Sequence, residues 1–307
     1  MRVFNSSKEF SLNCPVVLAL GNFDGVHLGH QKLLKVALEL ANRIGACPGV
    51  YTFWPHPLEV LEGKQVKYIL PLEERLKFFM ARDMEFTVLE SFTPEYARLS
   101  PEEFIKMLLE NFTLKGVVAG FNYTFGHKGA GRITDLIKAG ERFGFQVKVI
   151  EPVTFDHEVV SSSAIREKLA AGDIERVNGM LGYNYYLKGR VVGGDKLARK
   201  IGFPTANLLP EDNLVLPQFG VYQVEALIDG EGKKFSGIAN LGVRPTVKSG
   251  GQPLLEVHLL NYNANLYHRE LKVSFLKKIR TEKKFSSLED LKKQIEQDVK
   301  AVLQGIK

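Results

Sequence analysis

The sequence has few cysteines and no long run of apolar residues. Only Cys14 and Cys47 occur among its 307 residues, and their spacing fits no metal-binding motif. Two thiols do not make a disulfide framework, so we expect both cysteines to be reduced. No apolar run approaches the roughly 18 residues that a membrane helix needs. The first ten residues lack the basic and then apolar pattern of an export signal. These absences predict a cytoplasmic protein with no membrane partner.

Charge of one sign is not concentrated anywhere in the chain. The net charge is +6, from 41 basic and 35 acidic residues, a surplus that suits anionic ligands and makes nucleic acid one candidate. However, the basic residues are scattered, and in the stretch 277–300 acidic residues are interleaved with them, as on a solvated helix face. We therefore expect no nucleic-acid partner. The sequence leaves the oligomeric state unknown.

Two common nucleotide-binding motifs are also missing. No Gly-x-Gly-x-x-Gly follows the first predicted strand, which disfavours a flavin-dependent oxidoreductase that holds a dinucleotide. Residues 126–133 nearly match a P-loop, but Arg132 and Ile133 stand where Lys and Ser or Thr are required. Neither fold-specific fingerprint therefore explains how this chain would bind a nucleotide.

Residues 1–182 alternate short apolar segments with amphipathic ones. Such alternation predicts an α/β domain, in which a parallel sheet carries helices on both faces. Ligands of such sheets bind beyond the carboxyl ends of the strands. A helical stretch at 164–181 follows as a link. The predicted strands are 16–20, 50–53, 86–89, 116–119 and 146–150, and the predicted helices are 31–44, 72–82, 101–111 and 132–143.

Residues 183–307 have a different order of predicted elements, because strands follow one another with turns between them. Several strands without intervening helices predict a small antiparallel β-barrel, and a terminal helix at 287–303 would close it. We place the domain boundary between Gly182 and Tyr183. The predicted strands are 185–192, 221–228, 235–239, 254–260 and 271–275.

The most informative segment of the first half is 21–30, which reads Gly-Asn-Phe-Asp-Gly-Val-His-Leu-Gly-His. It follows the first predicted strand and leads into a helix. His27 and His30 are three residues apart, so one helical turn places both on one face. A helix N-terminus attracts anions, and Gly29 leaves room for a nucleotide to lie on the helix. Two surface histidines are the alternative, and a metal site lacks a third nearby ligand.

Two later segments suit the same chemistry. His56 stands between Pro55 and Pro57 at the end of another strand. Residues 161–166, Ser-Ser-Ser-Ala-Ile-Arg, read as a helix start with hydroxyls and an arginine for polyphosphate. Each alone is explained as well by capping and turn chemistry. The order of all three segments is what favours a nucleotide site.

Together these segments resemble the nucleotidyltransferase superfamily, and in detail the FMN adenylyltransferase half of bacterial bifunctional FAD synthetases. The resemblance implies a Rossmann-like domain in which the FMN phosphate attacks the α-phosphorus of ATP and releases pyrophosphate. His27 and His30 would stabilise the transferring phosphoryl group. The implied nucleotide or phosphate contacts are Asn22, Asp24, Gly29, His56, Ser162 and Arg166. The implied flavin contacts in the loop 120–131 are Phe121, Tyr123, Phe125 and Lys128. The alternative is that the aromatics of this loop simply join the core.

The second half contains a compact Gly-Phe-Pro-Thr-Ala-Asn segment at 202–207. In an extended chain the side chains of Thr205 and Asn207 share one direction, and oxygen ligands with several waters suit Mg²⁺. Further on, Glu256 and His258 alternate on one side of a strand. A carboxylate on the inner side of a small barrel would be costly without a partner or a purpose. A strand-entry turn and an exposed glutamate are the alternative interpretation.

These segments occur in the order found in riboflavin kinases, and the resemblance covers nearly all of residues 183–307. It implies that Thr205 and Asn207 bind Mg²⁺ and ATP phosphates, and that Glu256 is the general base for the riboflavin 5′-hydroxyl. Arg199, in a glycine-rich and basic segment, would contact the nucleotide, and Arg280 the flavin. Two departures are Tyr183-Asn184 in place of Arg-Pro, and Ala198 in place of the glycine that commonly precedes Arg199.

The sequence therefore predicts an enzyme with two activities and with ATP, riboflavin and FMN as its ligands. One alternative is a chain with a single working half, the kinase, whose other half senses a flavin or nucleotide. A flavin- or RNA-binding regulator is another, but it leaves two phosphate-handling segments unexplained.

Overall fold

The computed structural model describes residues 1–193, 201–243 and 251–305. The chain divides into two compact units, Met1–Ser162 and Ser163–Lys307. The sequence-derived boundary between residues 182 and 183 stays a prediction.

The first unit is built on a six-stranded parallel sheet with the order β1-β4-β3-β2-β5-β8. Two short hairpins, β6–β7 and β9–β10, accompany it. The sheet confirms the predicted α/β class. The strands are β1 Arg2–Phe4, β2 Val16–Leu20, β3 Cys47–Phe53, β4 Phe86–Glu90, β5 Leu114–Gly120, β6 Thr124–Phe125, β7 Gly131–Arg132, β8 Gln146–Ile150, β9 Thr154–Phe155 and β10 Glu158–Val159.

Five helices connect these strands, and local sequence sets their ends. At α4, Ser100 accepts a hydrogen bond from the Glu103 amide (3.1 Å), while the Glu103 carboxylate accepts one from the Ser100 amide (2.7 Å). Pro101 occupies the first turn, as its position in the sequence predicts. The helices are α1 Leu28–Ile44, α2 Pro57–Glu62, α3 Leu72–Met80, α4 Pro101–Asn111 and α5 Ile133–Phe143.

The strand order places a topological switch point between β2 and β5. The chain leaves β2 for β3 on one side of it, and later returns to place β5 on the other side. The connections therefore diverge at the carboxyl ends of these two strands and leave a crevice there. The loops that follow them, 21–27 and 121–123, carry Asn22, Asp24, His27, Phe121 and Tyr123 of the first predicted site.

The second unit is a closed six-stranded antiparallel barrel with the order β11-β12-β15-β14-β13-β16, which confirms the predicted barrel. Its interior is filled by alternate apolar residues such as Ala239, Leu255, Val257 and Phe275. The strands are β11 Tyr186–Val192, β12 Ala206–Leu208, β13 Gly220–Ile228, β14 Lys234–Val243, β15 Pro253–Leu259 and β16 Glu270–Arg280.

Within the described residues three further helices follow, α6 Ser162–Ala171, α7 Ile174–Leu181 and α8 Leu288–Gly305. The predicted single stretch at 164–181 is thus two helices. The break falls at Gly172, whose φ of 76° ends α6, and Asp173 then caps α7 by accepting from the Arg176 amide. The terminal helix α8 lies against β14 and confirms the predicted closing helix.

The expectation of two reduced cysteines is wrong, because Cys14 and Cys47 form a disulfide with their Cα atoms 6.4 Å apart. Cys14 lies just before β2 and Cys47 opens β3. The parallel register pairs Val16 with Cys47, so the sheet brings together two residues that are 33 positions apart. A spacing read along the sequence does not reveal such a pair, because strand register creates it.

Candidate active sites

The loop after β2 folds back on itself to present its histidines. Phe23, Gly25 and Val26 have φ values of 52°, 77° and 36°, which turn the chain sharply before α1 begins. His27 is the N-cap of α1, and its Nδ1 accepts from the His30 amide at 3.4 Å. The imidazole rings of His27 and His30 stack with centroids 3.6 Å apart.

Burial keeps both histidines neutral. It lowers the pKa of His27 to about 4, because only 7% of the residue is exposed. Burial also lowers the pKa of His30 well below its usual range, with smaller contributions from the charges of His27 and Arg75. Since Nδ1 of His27 accepts a hydrogen bond, a neutral ring carries its proton on Nε2. His27 can therefore donate a hydrogen bond from Nε2 to an anion.

A cavity of about 360 Å³ opens at the switch point and is lined by Asn22, His27, Gly29, His30 and Ser162 among others. Five predicted site residues are thus brought together by β2, α1 and the start of α6. The hydroxyl of Ser162 donates to the carbonyl of Asp24 at 2.9 Å, which ties the two segments to each other. A glycine at position 29 is also favoured locally, because a Cβ there would lie only 3.2 Å from the His27 ring.

Asp24 and His56 lie outside the cavity lining and support it. Asp24 is 2% exposed, and its carboxylate accepts from the amides of Ile69 and Leu70 at 3.0–3.3 Å. His56 caps α2 by accepting from the Leu58 amide, while its Nε2 lies 3.5 Å from the side-chain nitrogen of Asn22. Both residues therefore hold neighbouring segments in place. Arg166 lies on α6 four residues after Ser162, in the second unit, and its contact with phosphate stays a prediction.

The predicted flavin loop divides between the cavity and the core. Phe121 is 44% exposed and lines the cavity together with Tyr123. Phe125 is 5% exposed and packs against Phe104, with ring centroids 5.0 Å apart. Lys128 is exposed on a short turn with a φ of 51°. Among the described residues that line this cavity, neither Phe125 nor Lys128 is present.

On the barrel, three polar side chains form a row across neighbouring strands. Glu256 on β15 lies opposite Asn207 on β12 and opposite Asn240 on β14. Because Leu255 and Val257 fill the interior, Glu256 points to the outer face. The concern about a carboxylate inside the barrel is thereby removed. We call Asn207, Glu256 and Asn240 the polar row.

Two cavities meet at Thr205, which directly precedes β12. One, of about 330 Å³, is lined by Thr205, Asn207 and the loop 262–267. The other, of about 230 Å³, is lined by Thr205, Glu256, Asn240 and the apolar side of α8. His258 contacts the residue that precedes Thr205. Its Nδ1 lies 2.8 Å from the carbonyl of Pro204, so Nδ1 carries the proton and donates it to that carbonyl.

Arg280 lines the second cavity, but its charge is already paired. Its Nε and one terminal nitrogen donate to the carboxylate of Asp298 on α8 at 2.9–3.1 Å. Asp298 is 3% exposed and also accepts from Gln294. The pair fastens α8 to β16 at the wall of the cavity. Arg199 lies outside the described residues.

Sequence reasoning missed Asn240, Asp298 and Arg75. Asn240 left a signal, since it interrupts an apolar strand on the same face as Ile238. Asp298 is spaced at helical intervals from Leu291 and Ile295, which also line the cavity. A charged residue on an apolar helix face indicates a buried partner. Arg75 left no such pattern, because its burial depends on three separate segments.

Comparison with protein families assigns each unit a catalytic class. Residues 10–164 match the family described as FAD synthetase, and residues 181–305 match riboflavin kinase. The fold and the two groups of cavities thus define an enzyme of flavin cofactor formation with two catalytic domains. The chain belongs to the family of bifunctional riboflavin kinase/FMN adenylyltransferases.

Relatives match the chain over most of its length. The bifunctional riboflavin kinase/FMN adenylyltransferases of Listeria monocytogenes and Bacillus subtilis are each 38% identical over 92% of this chain and 90% of theirs. A crystal structure described as a macrolide-efflux protein from Streptococcus pneumoniae has a TM-score of 0.90 and 30% identity, and covers 98% of this chain and 97% of that one. Among the helices of the described residues, none is long and apolar enough to cross a membrane.

Proposed function

We propose that the chain uses ATP at two separate sites, first to phosphorylate riboflavin in the barrel unit and then to adenylylate FMN in the parallel-sheet unit. Residues 1–182 form the adenylyltransferase domain and residues 183–307 the kinase domain. The observation that carries this assignment is the meeting of two cavities at Thr205, one beside Asn207 and the other beside Glu256. A phosphoryl group passed from ATP to riboflavin has to cross such a junction.

In the kinase reaction, riboflavin lies in the cavity with Glu256 and ATP in the cavity with Asn207. Glu256 takes the proton of the 5′-hydroxyl as that oxygen attacks the γ-phosphorus, and ADP leaves. Asn207 and Asn240 flank Glu256 in the polar row and orient its carboxylate. The Arg280–Asp298 pair keeps α8 in place as the wall on the riboflavin side.

The family uses a divalent metal, and Mg²⁺ is the ion we assign. Thr205 and Asn207 fit it, because they offer neutral oxygen atoms beside the Glu256 carboxylate, and Mg²⁺ prefers oxygen ligands while keeping several waters. When bound, the ion would neutralise phosphate charge. The protein contributes the oxygen ligands and the position of the hydroxyl acceptor.

In the adenylyl transfer, a phosphate oxygen of FMN attacks the α-phosphorus of ATP and pyrophosphate leaves. The Nε2–H of His27 donates to the phosphoryl oxygens, on which negative charge increases in the transition state. His30 lies against it, and the N-terminus of α1 adds its backbone dipole. Ser162 and Arg166 hold the leaving phosphates. Phe121 and Tyr123 are the cavity residues available to the flavin ring. The cytoplasmic location stays a prediction.

One pair of variants distinguishes the two proposed sites experimentally. We expect Glu256→Gln to abolish FMN formation from riboflavin and to leave FAD formation from supplied FMN intact. We expect His30→Ala to do the reverse. Chromatography of the flavins over time, with riboflavin or FMN as the starting material, measures both. The activity that each variant retains serves as a control that the protein is still folded. If His30→Ala formed FAD from FMN at the wild-type rate, the first site would be wrongly assigned.

A further inference from the structure

A buried arginine lies behind the histidine loop. Arg75 on α3 is 2% exposed, and within the described residues its Nε and one terminal nitrogen have no hydrogen-bond partner. Its guanidinium lies over the rings of Trp54 and Tyr68, 5.1 and 5.2 Å from their centroids. Burying a cation in this way costs several kcal/mol unless contacts offset it. Packing alone would be achieved more easily by an apolar side chain.

Among the described residues, the guanidinium makes one hydrogen bond, which reaches the loop 21–27 after β2. The remaining nitrogen of Arg75 donates to the carbonyl of Asn22 at 3.1 Å, and the hydroxyl of Thr52 donates to the same oxygen at 3.3 Å. Asn22 is followed by Phe23, whose left-handed conformation starts the turn toward His27. Two donors from outside the loop therefore fix the point from which the turn begins.

The charge of Arg75 is also close to the reacting groups. Asp24 and Tyr68 are the titratable groups that favour its charged form, while burial lowers its pKa. The Asp24 carboxylate is occupied by the amides of Ile69 and Leu70. The Arg75 charge in turn lowers the pKa of His30, after the larger effect of burial and that of His27. A fixed positive charge in a water-excluded region attracts developing phosphate charge strongly.

We propose that Arg75 is a positioning residue for adenylyl transfer, which anchors the Asn22 backbone so that Asn22, His27 and His30 face the cavity, and which supplies a buried positive charge behind them. The proposal rests on the assignment of the first site to adenylyl transfer. Arg75 does not line the cavity, so it acts through the loop and through its field, without touching a substrate.

Three variants separate charge from hydrogen bonding. Arg75→Met removes both and leaves a side chain that packs against Trp54 and Tyr68. Arg75→Lys keeps the charge, and Arg75→Gln keeps a donor. For adenylyl transfer from supplied FMN, we expect Arg75→Met to lower kcat roughly 10- to 100-fold with a smaller change in the KM for ATP. We expect Arg75→Lys to recover part of the loss.

A merely structural role predicts a different pattern. Arg75 is a buried cation with two guanidinium nitrogens that lack hydrogen-bond partners among the described residues, so replacing it by Met removes an unfavourable burial of charge. We therefore expect the thermal midpoint of Arg75→Met to stay close to that of the wild type. Kinase activity measured on the same sample should not change. If Arg75→Met kept wild-type kcat, or if all three variants lost activity only in proportion to lost folded protein, the proposal would be overturned. If His30→Ala also spared adenylyl transfer, the site assignment itself would have failed.

Discussion

At the residue scale, two features of His27 depend on its protonation state. Its Nδ1 caps α1 and its ring lines the cavity, so the neutral form is needed for the cap. Protonating the ring would place a hydrogen on Nδ1 and break that hydrogen bond. Burial favours the same neutral form. The helix cap and the proposed donation from Nε2 therefore require the same neutral tautomer, which the loop provides.

This arrangement predicts a pH dependence of stability. Folding lowers the pKa of His27 to about 4 from its usual 6.5, so between these values the unfolded chain binds more protons. The free energy of unfolding should therefore fall as the pH falls, by roughly 2 kcal/mol between pH 6.5 and 5 for this group. Urea unfolding of the first unit at several pH values measures it. We expect His27→Gln to remove the His27 share of that loss and to leave the share of His30, whose pKa burial also lowers.

A matched control for this prediction is available in the same unit. His157 is exposed on the β9–β10 turn, so His157→Gln should leave the pH dependence as it is in the wild type. An unchanged slope in His27→Gln would mean that the His27 ring is protonated equally in both states.

Some site residues were predictable from the sequence and others were not, for a physical reason. His27, His30, Thr205 and Asn207 lie in short segments whose glycines, prolines and spacing act locally. Arg75 depends on α3 packing against the segments that carry Asn22 and Trp54, which is a tertiary event. Local sequence patterns therefore identify the side chains that we propose to face the ligands. They miss the residues that hold those side chains in position.

At the element scale, β2 was predictable to the residue because five buried apolar residues stand between turns. The strand β12 was not predictable, because it has only three residues and follows shortly after Pro204. So short a segment carries no recognisable alternation of apolar and polar residues. Its pairing with β11 and β15 defines it. The disulfide between Cys14 and Cys47 is the same kind of case. Elements that exist only through their neighbours escape an interpretation based on the sequence alone.

The terminal helix α8 gives a prediction at this scale. Its Asp298 is the buried partner of Arg280, and removing one member of a buried pair commonly costs about 3–5 kcal/mol. We expect Asp298→Ala to loosen α8 and raise the KM for riboflavin at least several-fold, while adenylyl transfer from supplied FMN is unchanged. Steady-state kinase assays at saturating ATP measure the effect.

The same helix offers a control for that experiment. Glu289 forms an i,i+4 pair with Lys293, and both side chains are more than 60% exposed, at 77% and 67%. Such surface pairs contribute little, so Glu289→Ala should behave like the wild type. Equal effects of the two substitutions would mean that α8 responds to its net charge, with no special part for Asp298.

At the scale of the whole molecule, the two family matches fall mainly in different compact units, and we assign each activity the cavities of its own unit. The product of the kinase, FMN, is the substrate of the adenylyltransferase. The lining of each described cavity comes from a single unit, so none of the described cavities is shared between the two units. FMN that leaves one chain should therefore be a normal substrate for another.

This independence is tested by mixing two defective chains. We expect Glu256→Gln to lack the kinase and His30→Ala to lack the adenylyltransferase, so neither alone should convert riboflavin to FAD. We expect an equimolar mixture to restore conversion, after a lag in which free FMN accumulates, because product of one chain has to reach the other through solution. Adding FMN should remove the lag. If the mixture formed FMN but no FAD, and Glu256→Gln also failed to adenylylate supplied FMN, the second step would require FMN made within the same chain.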